Sequence, residues 1–366
     1  MSSGLSGTGV TVGAPRDQAL FAEPAQTIPS AATSAAADTT REIRERRTYD
    51  DGSGGLSGHS PKFTTLSANT LNELATPAVD VVIVSYSSRE LLRNCLASLG
   101  AHPPRSGART VVVDNASSDG TVDMVRAEFP GVELVASPRN LGFAAATNVG
   151  IRRGSAPYVL ALNPDTRVTE GALDRMVELM ESNSSIGIAG CRLELEDGTF
   201  DHAARRSFPT PLSALGHFTR VGQSKRAPAR LAAYRAPSVE RGSVDAVNGA
   251  FMLIRRKALD EVGLFDEGYW MYMEDLDICY RFAQAGWVTW YEPDTTVVHV
   301  KAGTSGRFRK PRLDYAFHYG MYRFYRKHYA ASRNRPVNVT VYAAIAVKLA
   351  VSLVTSAVRR RRLARA

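Results

Sequence analysis

From Asp80 onward the chain alternates short β-branched runs with stretches of helical spacing. Val81-Val82-Ile83-Val84-Ser85 is a continuous apolar run, the pattern of a strand buried on both faces. Leu91, Leu92, Cys95 and Leu96 then recur at helical spacing. Thr110 to Asp114, Val132 to Val135 and Tyr158 to Leu162 predict three more strands. Helices are predicted between them, one after Ser118-Asp119, whose side chains suit an N-cap, and one over residues 142–152. Residues 200–245 are polar and read as a long irregular excursion. Beyond it come a strand from Val247 to Arg255, a helix over 274–286, a strand ending at Val297-Val298-His299, a helix over 312–330 and an apolar segment over 337–358. Strands alternating with helices imply parallel βαβ units, and such sheets bind ligands beyond the carboxyl ends of their strands. The residues to inspect are therefore Ser85 and Tyr86, Asp114 and Asn115, Arg139 and Asn140, and Asn163 and Asp165.

Composition changes the picture at the two ends. Residues 1–78 are poor in large apolar side chains and rich in Gly, Ser, Thr and Ala, so they read as a disordered leader. No compact apolar region follows a basic start, so no secretory signal peptide is read. The three cysteines, Cys95, Cys191 and Cys279, are far apart and odd in number, which argues against a disulfide framework and fits a reducing cytosol. Much of the net charge of +9 sits in Arg359 to Arg362 and Arg365. Those arginines follow an apolar segment and no nucleic-acid motif is present, so the expected partner is an anionic membrane surface and not a nucleic acid. No G-x-G-x-x-G follows the first strand, which disfavours a Rossmann oxidoreductase.

The candidate chemistry lies at strand ends and in one acidic run. A carboxylate at Asp114 can accept a hydrogen bond from a pyrimidine ring N–H, although an Asx-turn also accounts for an Asp there. Asp165 can bind a divalent cation shared with phosphates, although a Pro-Asp turn explains it in isolation. Glu274, Asp275 and Asp277 open a predicted helix, where acids suit the macrodipole, and Asp277 is spaced to pair with Arg281. His299 at a strand end is a plausible ligand beside a carboxylate metal site.

Taken in order, these blocks resemble the family 2 glycosyltransferases. The landmarks run from Val82 to about Gly306: VVIVSYSSRE, VVVDNASSDGT, PRNLGFAAATNVG, LNPDT, NGAFMLIRR, GLFDEGYWMYMEDLDICYRFAQAGW and VVHVKAGTSGR. Within the family the chain is most similar to actinobacterial rhamnosyltransferases acting on polyprenyl-diphosphate-linked acceptors. The resemblance implies that Asp114 contacts the nucleobase and that Ser85, Tyr86, Arg139, Asn140, Gly142, Asn148 and Asn163 line the nucleotide site. It implies Asp275 as general base, and Asp165 with His299 as ligands of Mg²⁺ or Mn²⁺. Two departures stand out. Ser87 stands where the family often has Asn, and Asn163 replaces the first Asp of the metal motif, which raises the importance of His299.

The fold implied is α/β of the GT-A type, a Rossmann-like mixed sheet with helices on both faces, a disordered N-terminal leader and C-terminal helices. The expected division is a leader over 1–78, a glycosyltransferase domain over 79–310 (nucleotide-binding half 79–165, acceptor-binding half 166–310), and C-terminal helices with a basic tail over 311–366. The expected activity is inverting transfer of a sugar, first L-rhamnose from dTDP-rhamnose, from a nucleotide-sugar donor to a glycolipid or polysaccharide acceptor of the cell envelope. The expected location is cytoplasmic, peripheral on the inner face of the plasma membrane. A non-catalytic nucleotide-sugar-binding module of the same fold is the alternative, separable by donor titration followed by a turnover assay.

Overall fold

The computed structural model describes residues 77–209, 240–301 and 311–363. Most of the expected leader, much of the 200–245 excursion and the segment 302–310 lie outside the described residues.

A mixed sheet forms the centre. Its first strands are β1 (Val79–Ser85), β2 (Ala108–Asp114), β3 (Glu133–Ala136) and β4 (Tyr158–Leu162). They are followed by β5 (Thr166–Val168), β6 (Ile186–Glu194), β7 (Arg205–Arg206), β8 (Gly242–Ser243), β9 (Ala246–Val247), β10 (Phe251–Arg255) and β11 (Val288–His299). The order across the sheet is β3-β2-β1-β4-β10-β6-β11-β5, with β8 added to β11. β1 runs parallel to β2 and β4, whereas β10 runs antiparallel to β4 and β6. The mixed sheet agrees with the expected GT-A architecture. The purely parallel βαβ pattern holds only for its first half.

Helices α1 (Arg89–Ala101), α2 (Thr121–Glu128), α3 (Phe143–Ile151), α4 (Ala172–Ser182), α5 (Arg256–Val262) and α6 (Glu274–Gln284) cover the faces. Strand alternation sends Val81 and Ile83 to one face, against Leu92 and Leu96 of α1 and Met176 of α4, and Val82 to the other, with Ile151, Leu276 and Phe282. The first strand is therefore buried on both sides, as its unbroken apolar run requires.

The expected N-cap at Ser118-Asp119 takes a different form. The residue before α2 is Gly120, in the left-handed region with φ 80°. Asp119 instead bridges two helix starts, accepting from the Arg89 amide at 3.0 Å and the Thr121 amide at 3.2 Å. Helix α4 and strand β6 lie in a stretch where the sequence pattern predicted no element. After the sheet come α7 (Pro311–His328) and α8 (Arg335–Leu363), packed on each other.

Candidate active site

The sheet register gathers the expected residues on one edge. Ser85 pairs with Asp114, and Ile83 with Leu162, so β1, β2 and β4 end together. His299 ends β11 and pairs with Thr166 of β5, next to Asp165. Phe251 begins β10 opposite Leu162, which brings the Asn248-Gly249 turn to the same edge.

At the end of β2, Asp114 is buried; its Oδ2 accepts from the Ser117 amide at 3.0 Å and its Oδ1 has no hydrogen-bond partner among the described residues. Asn115 ties this turn to the next loop: its amide nitrogen donates to Asn140 Oδ1 and to the Gly142 carbonyl, both at 3.1 Å, and its oxygen accepts from the Leu141 amide at 2.8 Å. Gly142 has φ +86°, and a Cβ there would meet the Trp270 carbonyl oxygen at 2.4 Å. Glycine is needed at that position for both reasons. The Phe143 amide donates to the same Trp270 carbonyl at 2.8 Å, so the loop before α3 is stitched to the loop before α6.

The remaining nucleotide-site expectations fall in different surroundings. Ser85 is buried, with its hydroxyl 2.9 Å from that of Ser88, while Tyr86 and Arg139 are exposed. Asn163 follows β4, and its backbone accepts from the Thr166 hydroxyl. Asn148 is buried inside α3, where its side-chain nitrogen donates to Phe265 and Glu267 and its oxygen accepts from the Phe265 amide. Both donations of the Asn148 amide go to protein, so its side chain holds the 265–267 loop.

Asp165 and His299 come together. His299 Nε2 lies 3.5 Å from Asp165 Oδ1, and Nδ1 lies 3.1 Å from Asp201 Oδ2. Asp201 also accepts from Lys301 Nζ at 2.6 Å and the Ala203 amide at 2.9 Å. Burial disfavours charge on His299, but the two carboxylates outweigh it and raise its pKa to about 9. Burial likewise opposes ionisation of Asp201, and the hydrogen bonds from His299 and Lys301 overcome it, holding that carboxyl well below the usual range. Among the described residues no cluster of three or more His, Cys, Asp or Glu side chains converges as a complete metal cage.

The acidic run sits at the start of α6, immediately after Tyr272 and Met273, which both have left-handed φ, 70° and 72°. Asp275 is buried and ion-paired to Arg206; its Oδ2 also lies 3.3 Å from the Gly249 amide and its Oδ1 accepts from Leu276 N at 2.8 Å. Glu274 is buried, with Oε2 lacking a hydrogen-bond partner among the described residues. Burial, followed by the neighbouring charge of Asp275, pushes its carboxyl well above the usual range. Local sequence does not separate Glu274 from Asp275, but Arg206 does, since it pairs with Asp275.

Asp277 was expected as a plain helix partner of Arg281. It pairs with Arg281 at 2.8 Å and also accepts from Lys327 at 2.8 Å, His328 at 2.7 Å and the Tyr269 hydroxyl at 3.3 Å. It is a hub joining α6 to α7. Sequence reasoning missed Asp201 and Arg206, which lie in the stretch read as irregular, where no periodic signal marks them.

The family model described as glycosyltransferase like family 2 matches residues 77–313. An N-acetylglucosaminyl-diphospho-decaprenol L-rhamnosyltransferase of Mycobacterium tuberculosis (strain ATCC 25618 / H37Rv) is 31% identical over 300 residues, covering 78% of this chain and 96% of that protein. Rhamnosyltransferase WbbL of Escherichia coli (strain K12) is 26% identical over 228 residues, covering 60% of this chain and 83% of that protein. A solved mannosyltransferase from Pyrobaculum calidifontis, in complex with GDP-Man and Mn²⁺, has a TM-score of 0.48 at 19% identity, covering 80% of this chain and 76% of that one. With the family model matched from Pro77 through β11 and a relative aligned over nearly its whole length, the chain belongs to the glycosyltransferase-like family 2 and is a glycosyltransferase.

Proposed function

We propose that this enzyme transfers L-rhamnose from dTDP-rhamnose to a hydroxyl of a polyprenyl-diphosphate-linked sugar, with inversion at the anomeric carbon. The observation that carries the reading is the pair of buried carboxylate oxygens with no hydrogen-bond partner among the described residues, Asp114 Oδ1 and Asp165 Oδ1, the second facing His299 Nε2 at 3.5 Å, on one sheet edge beside the buried Glu274-Asp275 pair. A buried orphan acceptor is unfavourable unless a ligand completes it. Asp114 receives the nucleobase N–H, and the loop 139–142 walls the nucleotide.

The donor set suits a divalent cation. Asp165 Oδ1 has no hydrogen-bond partner among the described residues, His299 Nε2 lies 3.5 Å from it in an ion pair whose proton a bound cation would replace, and Asp201 holds the other ring nitrogen as an outer carboxylate does for a ligating histidine. Two protein ligands plus diphosphate oxygens and water are a common complement for Mg²⁺ or Mn²⁺. When bound, such an ion supplies positive charge for the departing nucleoside diphosphate.

Asp275 accepts the proton of the attacking hydroxyl, and its ion pair with Arg206 orients its carboxylate. General-base help of this kind contributes roughly 10²–10⁴-fold. One displacement needs no covalent nucleophile. The membrane end of the reading rests on α8, where Arg335–Val358 is long and apolar enough to cross a bilayer. Docking there keeps the enzyme, on the inner face of the plasma membrane, near a lipid-linked acceptor.

The test is transfer from a panel of nucleotide sugars to a synthetic polyprenyl-diphosphate-GlcNAc, with Asp275→Asn alongside. The reading requires turnover with dTDP-rhamnose, inverted product and a loss of about 10²-fold or more in the variant at nearly unchanged donor affinity. Turnover confined to another donor overturns the sugar assignment, and wild-type turnover by the variant overturns the base.

A further inference from the structure

We propose that α7, a helix lying almost wholly beyond the family-matched segment, is part of the catalytic apparatus: it braces the loop that carries Asp275, with Gly320 as the positioning residue. The inference rests on the reading of Asp275 as general base.

The loop needs bracing. Tyr272 and Met273 are both in the left-handed region, at φ 70° and 72°, and neither is glycine. Side chains rarely adopt that conformation, and it persists only where surroundings impose it. These two residues directly precede Glu274 and Asp275, so relaxation of either would swing the acidic pair away from the Gly249 amide and Arg206.

One face of α7 runs along this loop. Near its start the Arg312 guanidinium lies 4.1 Å from the centre of the Trp270 ring. Phe317 meets Tyr272 edge-on, with ring centres 5.9 Å apart. Arg323 holds Asp266 at 2.8 Å, Lys327 reaches Asp266 at 2.7 Å and Asp277 at 2.8 Å, and His328 reaches Asp277 at 2.7 Å. Asp266 and Asp277 bracket the strained pair on either side, so both ends of the loop are pinned to one rigid helix.

Gly320 sits at the middle of that face. Glycine is the poorest helix former after proline, and here it lies in the interior of an 18-residue helix. A Cβ at Gly320 would stand 3.0 Å from Met273 Cγ, 3.1 Å from the Tyr272 carbonyl oxygen and 3.2 Å from Met273 Cβ. The missing side chain lets α7 press on the backbone of the strained residues. The family model ends at residue 313, so Phe317, Gly320, Arg323, Lys327 and His328 lie outside the matched segment. The matched domain therefore carries the base, while the following helix sets its position.

The experiment uses the full-length protein. Gly320→Ala, Gly320→Val, Lys327→Met, Lys327→Arg and Asp275→Asn are compared for kcat, donor KM, affinity for dTDP and melting temperature. A misplacement of about 1 Å can lower turnover by about 10²-fold. Gly320→Val should lose turnover on that scale, and Gly320→Ala and Lys327→Met should lose less. Donor KM and dTDP affinity should change far less than kcat, because Gly320 and Lys327 bear on Tyr272, Met273, Asp266 and Asp277 and not on Asp114 or the 139–142 loop. Lys327→Arg should recover most of the loss seen in Lys327→Met. Adding Met273→Ala to Gly320→Ala should restore turnover by removing the nearest obstructing atom. A mere packing role predicts lower melting temperatures with wild-type kcat in the folded protein, and that result overturns the inference. If Gly320→Val does not fold, the Lys327 pair decides by the same split. Inert Asp275→Asn with fully active α7 variants sinks the brace alone, whereas active Asp275→Asn sinks the base assignment and the brace together.

Discussion

His299 presents Nδ1 to Asp201 at 3.1 Å, which leaves Nε2 on the side of Asp165. A carboxylate behind a ligating histidine fixes its tautomer and ring orientation, and its loss commonly lowers metal affinity or activity by 10–100-fold. Asp201→Asn is therefore expected to raise the Mg²⁺ or Mn²⁺ concentration for half-maximal activity by roughly tenfold or more. Chelator should abolish wild-type activity and either metal should restore it. Activity that survives thorough chelation removes the metal role from Asp165 and His299 alike.

Asp275 shares a buried pocket with Glu274, and Arg206 is the cation paired with it. The other groups bearing on this pocket are Asp277 and the Cys279 thiol. Without the guanidinium, two adjacent buried carboxyls resist joint ionisation. Arg206→Met should then lose turnover at neutral pH and regain part of it as pH rises, because the acid limb of the kcat/KM profile moves upward. Arg206→Lys should fall between the two. A profile of unchanged shape, merely lowered, would assign Arg206 a structural role only.

Asp114 makes a different demand: if its Oδ1, which has no hydrogen-bond partner among the described residues, receives the nucleobase as proposed, the effect falls on the donor. Hydrogen bonds to charged groups contribute about 1.5–3 kcal/mol, equivalent to roughly 10–100-fold in affinity. Asp114→Ala should raise donor KM on that scale while kcat at saturating donor changes less. Titration of the free nucleotide should weaken in parallel. Unchanged nucleotide affinity would mean that Asp114 serves only to hold the Ser117 turn.

Much of this arrangement was legible in the chain. The unbroken run from Val81 to Val84 and the acids closing its neighbouring strands announced a buried sheet with polar carboxyl ends. The blocks around Asp114, Asp165, Asp275 and His299 lie on the sheet edge or directly beside it. What stayed hidden depends on long-range pairing. β6 was missed even though it sits between β10 and β11, because its Gly187 and Gly190 interrupt the apolar pattern. Those glycines make room for Phe282, Trp287 and Val247, neighbours that local sequence does not show. Arg206 and Asp201 gain meaning only when folding brings them to residues 69 and 98 positions away. Asp277 looked like half of a helix pair because its other partners come from α7.

Asp277 also sets an expectation for acid stability. Burial opposes its ionisation, but His328, Lys327 and Arg281 outweigh that and hold its carboxyl below the ordinary range. A carboxyl depressed in the folded state stabilises the fold above the unfolded value near pH 4 and loses that contribution as pH falls through the depressed value. Removing one partner from a buried ionic cluster typically costs about 3–5 kcal/mol. Asp277→Asn should therefore melt well below wild type at pH 7, and the two curves should converge under acid, below about pH 4. A gap that stays constant down to pH 2 would place the effect in shape and not in charge.

The last prediction concerns the outer face of α8. Its inner face packs on α7: Ile345 is buried, Asn338 accepts from the Tyr325 hydroxyl at 2.7 Å, and Ser356 donates to Asp314 at 2.9 Å. The opposite face carries Val339, Val347, Val351, Val354 and Val358, all between 46% and 65% exposed. Lys348, the one charged residue between Arg335 and Arg359, is half-buried one turn from Ile345, so the outward stripe is uncharged. An exposed apolar stripe of this length is unfavourable in water and favourable against acyl chains. The run Arg359 to Arg362 follows it in sequence, and each basic residue near an anionic surface contributes about 1 kcal/mol. With the inner face of α8 packed on α7, docking of the hairpin flat on the surface through the valine stripe fits the geometry better than a lone spanning helix. The full-length protein should therefore co-sediment with vesicles containing phosphatidylglycerol, bind pure phosphatidylcholine less, and come off in high salt. Val347→Asp with Val354→Asp should abolish sedimentation while leaving turnover on a short-chain soluble acceptor near wild type. Resistance to both salt and alkali would instead establish a true span, and equal sedimentation of the double variant would show that the valine stripe is not the docking face.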